Sequence, residues 1–135
     1  TLRGHELEPV ARDLYHESAG LPRLEQVGII LNHGVGYSPD CLVDGNGLVE
    51  IKTKLPKYQI ELLLADELPQ EHVAQCQGGL WVSEREWIDF VSYWPGMPLF
   101  VKRAYRDEVM IRTIAERVEA FYEELERRMD MVMAA

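Results

Sequence analysis

A mixed β-sheet flanked by helices, α/β or α+β in class, is the architecture this sequence predicts. Three observations lead there. Helical and strand-like periodicities alternate in the order helix, three strands, two helices, two strands, helix. A chain of 135 residues suffices for one hydrophobic core and not for two. Its composition, 47% hydrophobic and 27% charged, is that of an ordinary globular domain. The expected sheet has about five strands, and residues 1–135 read as a single domain without internal repeat, low-complexity tract or linker.

Residues 5–19 place Leu7, Val10, Ala11, Leu14, Tyr15 and Ala19 at helical spacing, with Gly20 and Pro22 as stop signals. Pro9 has no amide hydrogen and belongs in the first turn or at a kink. Residues 26–32, 37–43 and 47–53 are β-branched and apolar and predict three strands. Between the last two lies Asp44-Gly45-Asn46-Gly47, a hairpin turn whose glycines and Asn accept positive φ at low cost. Residues 57–66 and 70–81 predict two helices separated by Leu68-Pro69, with Gly78-Gly79 weakening the end of the second. Residues 86–94 and 99–105 predict two antiparallel strands around Pro95-Gly96. Asp107 or a neighbour then caps a last helix, striped by Met110, Ile114, Val118, Phe121, Leu125 and Met129.

The net charge is −9, from 14 basic and 23 acidic residues. As an average this argues against a nucleic-acid partner, because displacing counterions from phosphates needs a basic face. The charge is uneven, however. Residues 51–58 hold Lys52, Lys54 and Lys57 and no acid, a basic island in an acidic chain. No apolar run approaches the roughly 20 residues of a membrane span; the longest, 27–31, is broken by Gly28. Cys41 and Cys76 are too few for a disulfide framework and read as free thiols of a reducing compartment. No signal peptide opens the sequence, and the start at Thr1 rather than Met leads us to expect that something upstream is missing. No Walker loop occurs, so nucleotide hydrolysis is not suggested.

The hairpin carries the chemistry. If it turns about Gly45-Asn46, residues whose numbers sum to about 90 face one another, and Asp40 lies opposite Glu50. Cross-strand partners share a face, as do residues i and i+2, so Asp40, Glu50 and Lys52 project to one side. Two adjacent carboxylates each favour protonation unless a divalent cation neutralises them. An all-oxygen site suits Mg²⁺, with Mn²⁺ able to substitute. Such a cation binds a phosphate oxygen and supplies a water nucleophile, and an adjacent lysine can orient that water or neutralise charge growing on the phosphate. Taken singly, Glu50 and Lys52 read as a solvated salt bridge and Asp40 as a turn residue. Brought onto one face they read better as a catalytic set.

Ser38-Pro39-Asp40, followed by Gly45-Asn46-Gly47-Leu48-Val49-Glu50-Ile51-Lys52, resembles the core motif of the lambda-exonuclease-like, YqaJ-type viral recombinase family of PD-(D/E)XK nucleases. Gly4 to Arg12 and Tyr15 to Gly20 resemble its first core helix, and Ala74-Gln75-Cys76-Gln77 through Val82 resembles its glutamine-bearing helix. Phe90 to Met97 and Arg106-Asp107 resemble its closing strands, so the likeness covers nearly the whole chain. It implies a restriction-endonuclease-like core and a Mg²⁺-dependent exonuclease working 5′ to 3′ on linear duplex DNA ends. By the same implication Asp40, Glu50 and the Ile51 carbonyl ligate the metal and Lys52 orients the attacking water. Glu8 adds to a second metal or a water near it, and Gln77 positions Lys52 or the scissile phosphate. The family further implies a ring-shaped homotrimer, a single-strand annealing protein as partner, and a phage or prophage gene product in the bacterial cytoplasm. Two departures stand out: Cys41 replaces the glycine that usually follows Ser-Pro-Asp, and the family's N-terminal segment with its 5′-phosphate-binding arginine is missing.

Lys54 and Lys57 are candidate DNA contacts, with a solvated loop as the even alternative. His5, His16, His33 and His72 have no metal spacing and read as surface or packing residues. Trp81, Trp87, Tyr93 and Trp94 could stack on bases, although aromatics in alternating strands usually fill a core. The charge pairs of the last helix predict a solvated face. Two rival functions stay open: a nuclease-fold scaffold that binds DNA ends or a protein without turnover, and an endonuclease of the same superfamily.

Overall fold

Four of the six residues from Gly47 to Lys52 are apolar, and in a computed structural model describing residues 2–135 this run is the middle of a sheet, buried on both faces as far as Ile51. The elements in order are α1 (Leu2–Ser18), β1 (Leu24–Glu25), β2 (Ile30–Asn32), β3 (Val35–Tyr37), β4 (Cys41–Val43), β5 (Gly47–Lys52), α2 (Pro56–Ala65), α3 (Gln70–Ser83), β6 (Trp87–Ser92), β7 (Phe100–Tyr105) and α4 (Glu108–Ala134). Five strands form the main sheet in the order β1-β4-β5-β6-β7, and β2 and β3 form a separate pair. All neighbours are antiparallel except β5 and β6, which run parallel because the α2–α3 crossover returns the chain to the same end. The expected mixed sheet of about five strands flanked by helices is what forms.

Alternation along the strands sorts the core into two layers. Val49, Ile51, Cys41, Val43 and Val91 face one way and pack with Ala11 and Tyr15 of α1. Leu48, Ile88 and Phe90 face the other way and pack with Leu62 of α2 and Cys76 and Leu80 of α3. Helix α1 therefore buries the Leu7-Ala11-Tyr15 row, while Val10 and Leu14, which the spacing also assigns to its apolar face, are 43% and 38% exposed. Tyr15 is also hydrogen-bonded, its hydroxyl donating to Asp89 Oδ2 at 2.6 Å. Asp89 takes two bonds from the Arg103 guanidinium, at 2.8 and 3.0 Å, so a buried carboxylate is paired rather than bare.

Three sequence expectations need correction. Residues 26–32 do not join the main sheet: only Ile30–Asn32 is strand, and it turns back on Val35–Tyr37 through His33 and Gly34, at φ 54° and 76°. Two successive positive φ values make the tight hairpin turn that suits right-twisted strands. The expected strand 37–43 is cut in two, since Pro39 can donate no ladder hydrogen bond. In the β4–β5 turn the left-handed residue is Asp44 (φ 49°) and neither glycine has positive φ. Asp44 is held by its side chain accepting from Arg23 N at 3.0 Å, and Arg85 Nη1 donates to the carbonyls of Val43, Asp44 and Gly47. Gly47 is required for closeness instead, because a Cβ there would lie 2.3 Å from the Trp87 ring.

Asp107 does cap α4, its Oδ1 accepting from Val109 N and Met110 N at 3.1 Å each. Of the stripe predicted along α4, Met110, Ile114 and Val118 are half-buried and Phe121, Leu125 and Met129 are 62%, 42% and 51% exposed; the one buried residue of the helix, Ile111, lies beside the stripe. Among the described residues no helix is long and apolar enough to cross a membrane.

Candidate functional site

The β4–β5 register pairs Cys41 with Val49, Leu42 with Leu48 and Val43 with Gly47, so pairs sum to 90 as the turn predicts. One step beyond the ladder, Asp40 N donates to Val49 O at 3.2 Å, which sets Asp40 beside Glu50 at the open end of the hairpin. Asp40 Oδ2 then accepts from Ile51 N at 2.6 Å, a short bond to a charged acceptor. That bond fixes the Glu50–Ile51 peptide against the Asp40 carboxylate. Lys52 Nζ lies 3.6 Å from Glu50 Oε1, which brings Asp40, Glu50 and Lys52 into one place.

Two elements close the site. From α1 comes Glu8, held by Arg12 Nη2 at 3.3 Å, and it lines a cavity of about 210 Å³ together with Gly4, His5, Ile51 and Thr53. From β3 comes Tyr37, whose hydroxyl donates to Glu50 Oε2 at 3.5 Å. Tyr37 reaches that carboxylate by passing over Gly79 of α3, where a Cβ would meet its ring at 2.5 Å. The glycine pair that weakens the helix on propensity grounds therefore leaves room for an aromatic ring, and α3 continues past it to Ser83.

The electrostatics are those of crowded acids that Lys52 only partly offsets. Burial, then the charge of Glu50, pushes the Asp40 carboxyl up to about 7, with Glu8 adding to the rise and the Ile51 N–H opposing it. Burial also raises Glu50, against the pull of Lys52 and the Tyr37 hydrogen bond. The Cys76 thiol is lifted to about 11 by burial and by Glu50, so it is an inert neighbour and no nucleophile. Two neighbouring carboxyls whose charged forms are both disfavoured by burial are what a hard divalent cation would relieve. Among the described residues no three His, Cys, Asp or Glu side chains make a ready metal cage. A cation that keeps several waters does not need one: Asp40, Glu50 and the Ile51 carbonyl supply a partial oxygen set that fits Mg²⁺ or Mn²⁺.

Three other expected site residues lie elsewhere or are already occupied. Gln77 is 4% exposed, its amide nitrogen donating to Tyr105 O at 2.9 Å and its oxygen accepting from Asp107 N at 2.8 Å. It ties β7 to the α4 cap, and its side chain is not turned to Lys52. Lys54 follows β5 and is engaged with Glu71 and His72, at 3.5 and 3.1 Å. Lys57 is exposed in the first turn of α2. Tyr37 and His72 are the residues that sequence reasoning missed. Tyr37 carried no signal beyond lying in an expected strand; His72 had one, two lysines at positions 52 and 54 in need of an acceptor.

A family model described as the YqaJ-like viral recombinase domain matches residues 1–86. Among solved structures, an alkaline exonuclease (LHK-Exo) from Laribacter hongkongensis aligns at 37% identity with a TM-score of 0.88, over 97% of this chain and 71% of that one. The same exonuclease in complex with dAMP aligns at 36% identity and TM-score 0.88, over 97% and 70%. A phage-related exonuclease from Haemophilus somnus 129PT aligns at 21% identity and TM-score 0.65, over 93% and 71%, which is a likeness of fold. No curated protein matches the sequence.

Proposed function

The chain belongs to the YqaJ-like viral recombinase domain family, and on that premise we propose that it is a divalent-metal-dependent exonuclease that shortens linear duplex DNA 5′ to 3′. The carrying observation is the convergence of Asp40, Glu50 and Lys52 at the open end of the hairpin, with Asp40 bonded to Ile51 N at 2.6 Å and Lys52 3.6 Å from Glu50. The likeness to an alkaline exonuclease at 37% identity supports the same chemistry.

Asp40 and Glu50 would hold Mg²⁺ or Mn²⁺ with the Ile51 carbonyl, which supplies Lewis acidity toward the scissile phosphate and a water of lowered pKa. Lys52, anchored by Glu50, orients the attacking water and offsets charge building on the phosphate. Glu8, held by Arg12, accepts a hydrogen bond from a water on the far side of Asp40 or contributes to a second cation. Tyr37 restrains the Glu50 carboxylate so that its other oxygen stays directed at the cleft. Lys57, exposed just after the site, offers a contact to the DNA backbone. DNA is the partner this reading requires. A ring-shaped homotrimer and a single-strand annealing protein that takes the product strand belong to the same reading, as does a phage or prophage gene product acting in the cytoplasm of a bacterial host.

The test compares duplex substrates in Mg²⁺. Linear DNA labelled at a 5′ end should release label early, 3′ label should follow late, and covalently closed circles should persist. Cutting of circles would make the enzyme an endonuclease. A second reading, a scaffold that binds without turnover, draws on the lack of a three-acid cage among the described residues. It predicts duplex binding with no nucleotide release in either Mg²⁺ or Mn²⁺.

A further inference from the structure

Beside Lys52 lies a group of polar side chains that the proposed chemistry leaves unused. Lys54 Nζ stands 3.1 Å from His72 Nε2, 3.5 Å from Glu71 Oε1 and 4.3 Å from the centre of the Tyr58 ring. His72 Nε2 is itself 3.5 Å from Glu71 Oε1, and the Tyr58 hydroxyl donates to the same oxygen at 3.0 Å. Three groups able to donate, from the segment after β5, the first turn of α2 and the first turn of α3, thus surround one carboxylate oxygen.

The acceptor and its partners are mounted differently. The His72 side chain is 12% exposed and its ring lies 5.0 Å from that of Phe90, whereas the Glu71 side chain is 58% exposed. The imidazole is fixed in the body, while the carboxylate rests on the surface and can swing away at little cost. Lysine has only donors, so at 3.1 Å the neutral ring of His72 accepts. Burial, then Lys54 and Lys52, holds the His72 pKa below its ordinary value and keeps it neutral. A neutral imidazole can carry its proton on either nitrogen, so Nε2 can equally donate to an incoming anion without change of charge.

The Glu71 oxygen has an ammonium and a hydroxyl beside it, with the His72 nitrogen 3.5 Å away; a phosphodiester oxygen in its place could take all three as donors once the imidazole proton moves to Nε2. We propose that Lys54, His72 and Tyr58 form a binding site for a DNA backbone phosphate neighbouring the scissile one, with Glu71 as a carboxylate placeholder that this phosphate displaces. The inference rests on the nuclease reading of the adjacent acids. It differs in sign from an ordinary surface salt bridge. In a salt bridge Glu71 contributes a little stability and has no bearing on DNA; as a placeholder it competes with DNA.

The experiment is a double-mutant cycle on the full chain, reading affinity for a fluorescent duplex by anisotropy in Ca²⁺ and digestion in Mg²⁺. Glu71→Gln should lower Kd about two- to fivefold, the range of a partly exposed ion pair. Lys54→Met should raise Kd by a similar factor and reduce the slope of log K against log salt by about one. Adding Glu71→Gln to Lys54→Met should then give no further tightening. Glu67→Gln, which removes an equal charge on the loop before α3, should leave Kd unchanged. The proposal is overturned if Glu71→Gln leaves affinity unchanged or weakens it, or if its tightening survives Lys54→Met or is matched by Glu67→Gln. Digestion is read separately. A wild type that shows the binding pattern without digesting DNA overturns the nuclease reading and leaves the phosphate site standing; a wild type that digests DNA with Glu71→Gln inert overturns the phosphate site alone.

Discussion

The N–H of Ile51 donates to Asp40 Oδ2 at 2.6 Å, so the residue whose carbonyl is the proposed third metal ligand is held, through the peptide on its other side, by a carboxylate that is itself a proposed ligand. A half-buried acid with a raised pKa is costly, and the cost has a testable pH signature. Burial and Glu50 raise Asp40 to about 7 in the folded protein, against about 3.9 in an unfolded chain. The folded state then binds this proton more tightly than the unfolded state, so Asp40's contribution to metal-free stability is full below about pH 4 and is lost as pH rises toward 7. The charged groups facing Asp40 are Glu8 on α1 and Glu50 on β5, with Lys52 paired to Glu50.

Asp40→Asn keeps an acceptor for Ile51 and removes the charge. In chelator-treated protein it should melt above wild type at pH 8, with the gap narrowing steadily toward pH 4. Thermal melts at four pH values check this; a variant that melts below wild type at pH 8 contradicts it.

Gly79→Ala places a methyl against the Tyr37 ring, at 2.5 Å before relaxation. Overpacking of this kind costs about 1–3 kcal/mol. The displaced ring should also free Glu50, so kcat should fall together with stability, whereas Tyr37→Phe should lower kcat with little change in the urea midpoint. Gly79→Ala with wild-type stability would show that the ring has somewhere else to go.

Gln77→Ala severs both bonds at the β7–α4 junction and leaves the Tyr105 carbonyl and Asp107 amide without their side-chain partner. The expected loss is about 1–3 kcal/mol. Turnover measured well below the melting temperature should match wild type. Stability that holds while kcat collapses would return Gln77 to the active site.

The sequence made the central hairpin legible because a two-sided constraint acts on it: a short turn fixes the register, and the apolar run fixes the faces. The juxtaposition of Asp40 and Glu50 therefore follows from counting. Tyr37 was not, because its position depends on how closely α3 approaches β3, and no local pattern encodes that distance. Gln77 was misplaced for a related reason. Gln75 and Gln77 both lie on α3, and helical spacing does not say what either side chain meets; only the course of β7 shows that a backbone captures Gln77. The strand at 26–32 failed because hydrophobicity reports burial and not partner, while His33-Gly34 was free to close a smaller hairpin. The exposed distal stripe of α4 carries the same lesson, since periodicity marks a face without saying that anything covers it.

Release of nucleotides from linear duplex DNA by wild type, Asp40→Asn and Lys52→Met, with and without Mg²⁺, tests the central claim most directly. The account predicts release by wild type only when Mg²⁺ or Mn²⁺ is present, and a fall of about a hundredfold or more in both variants, each still folded by circular dichroism. Digestion by either variant at the wild-type rate, or by wild type in excess chelator, would contradict it.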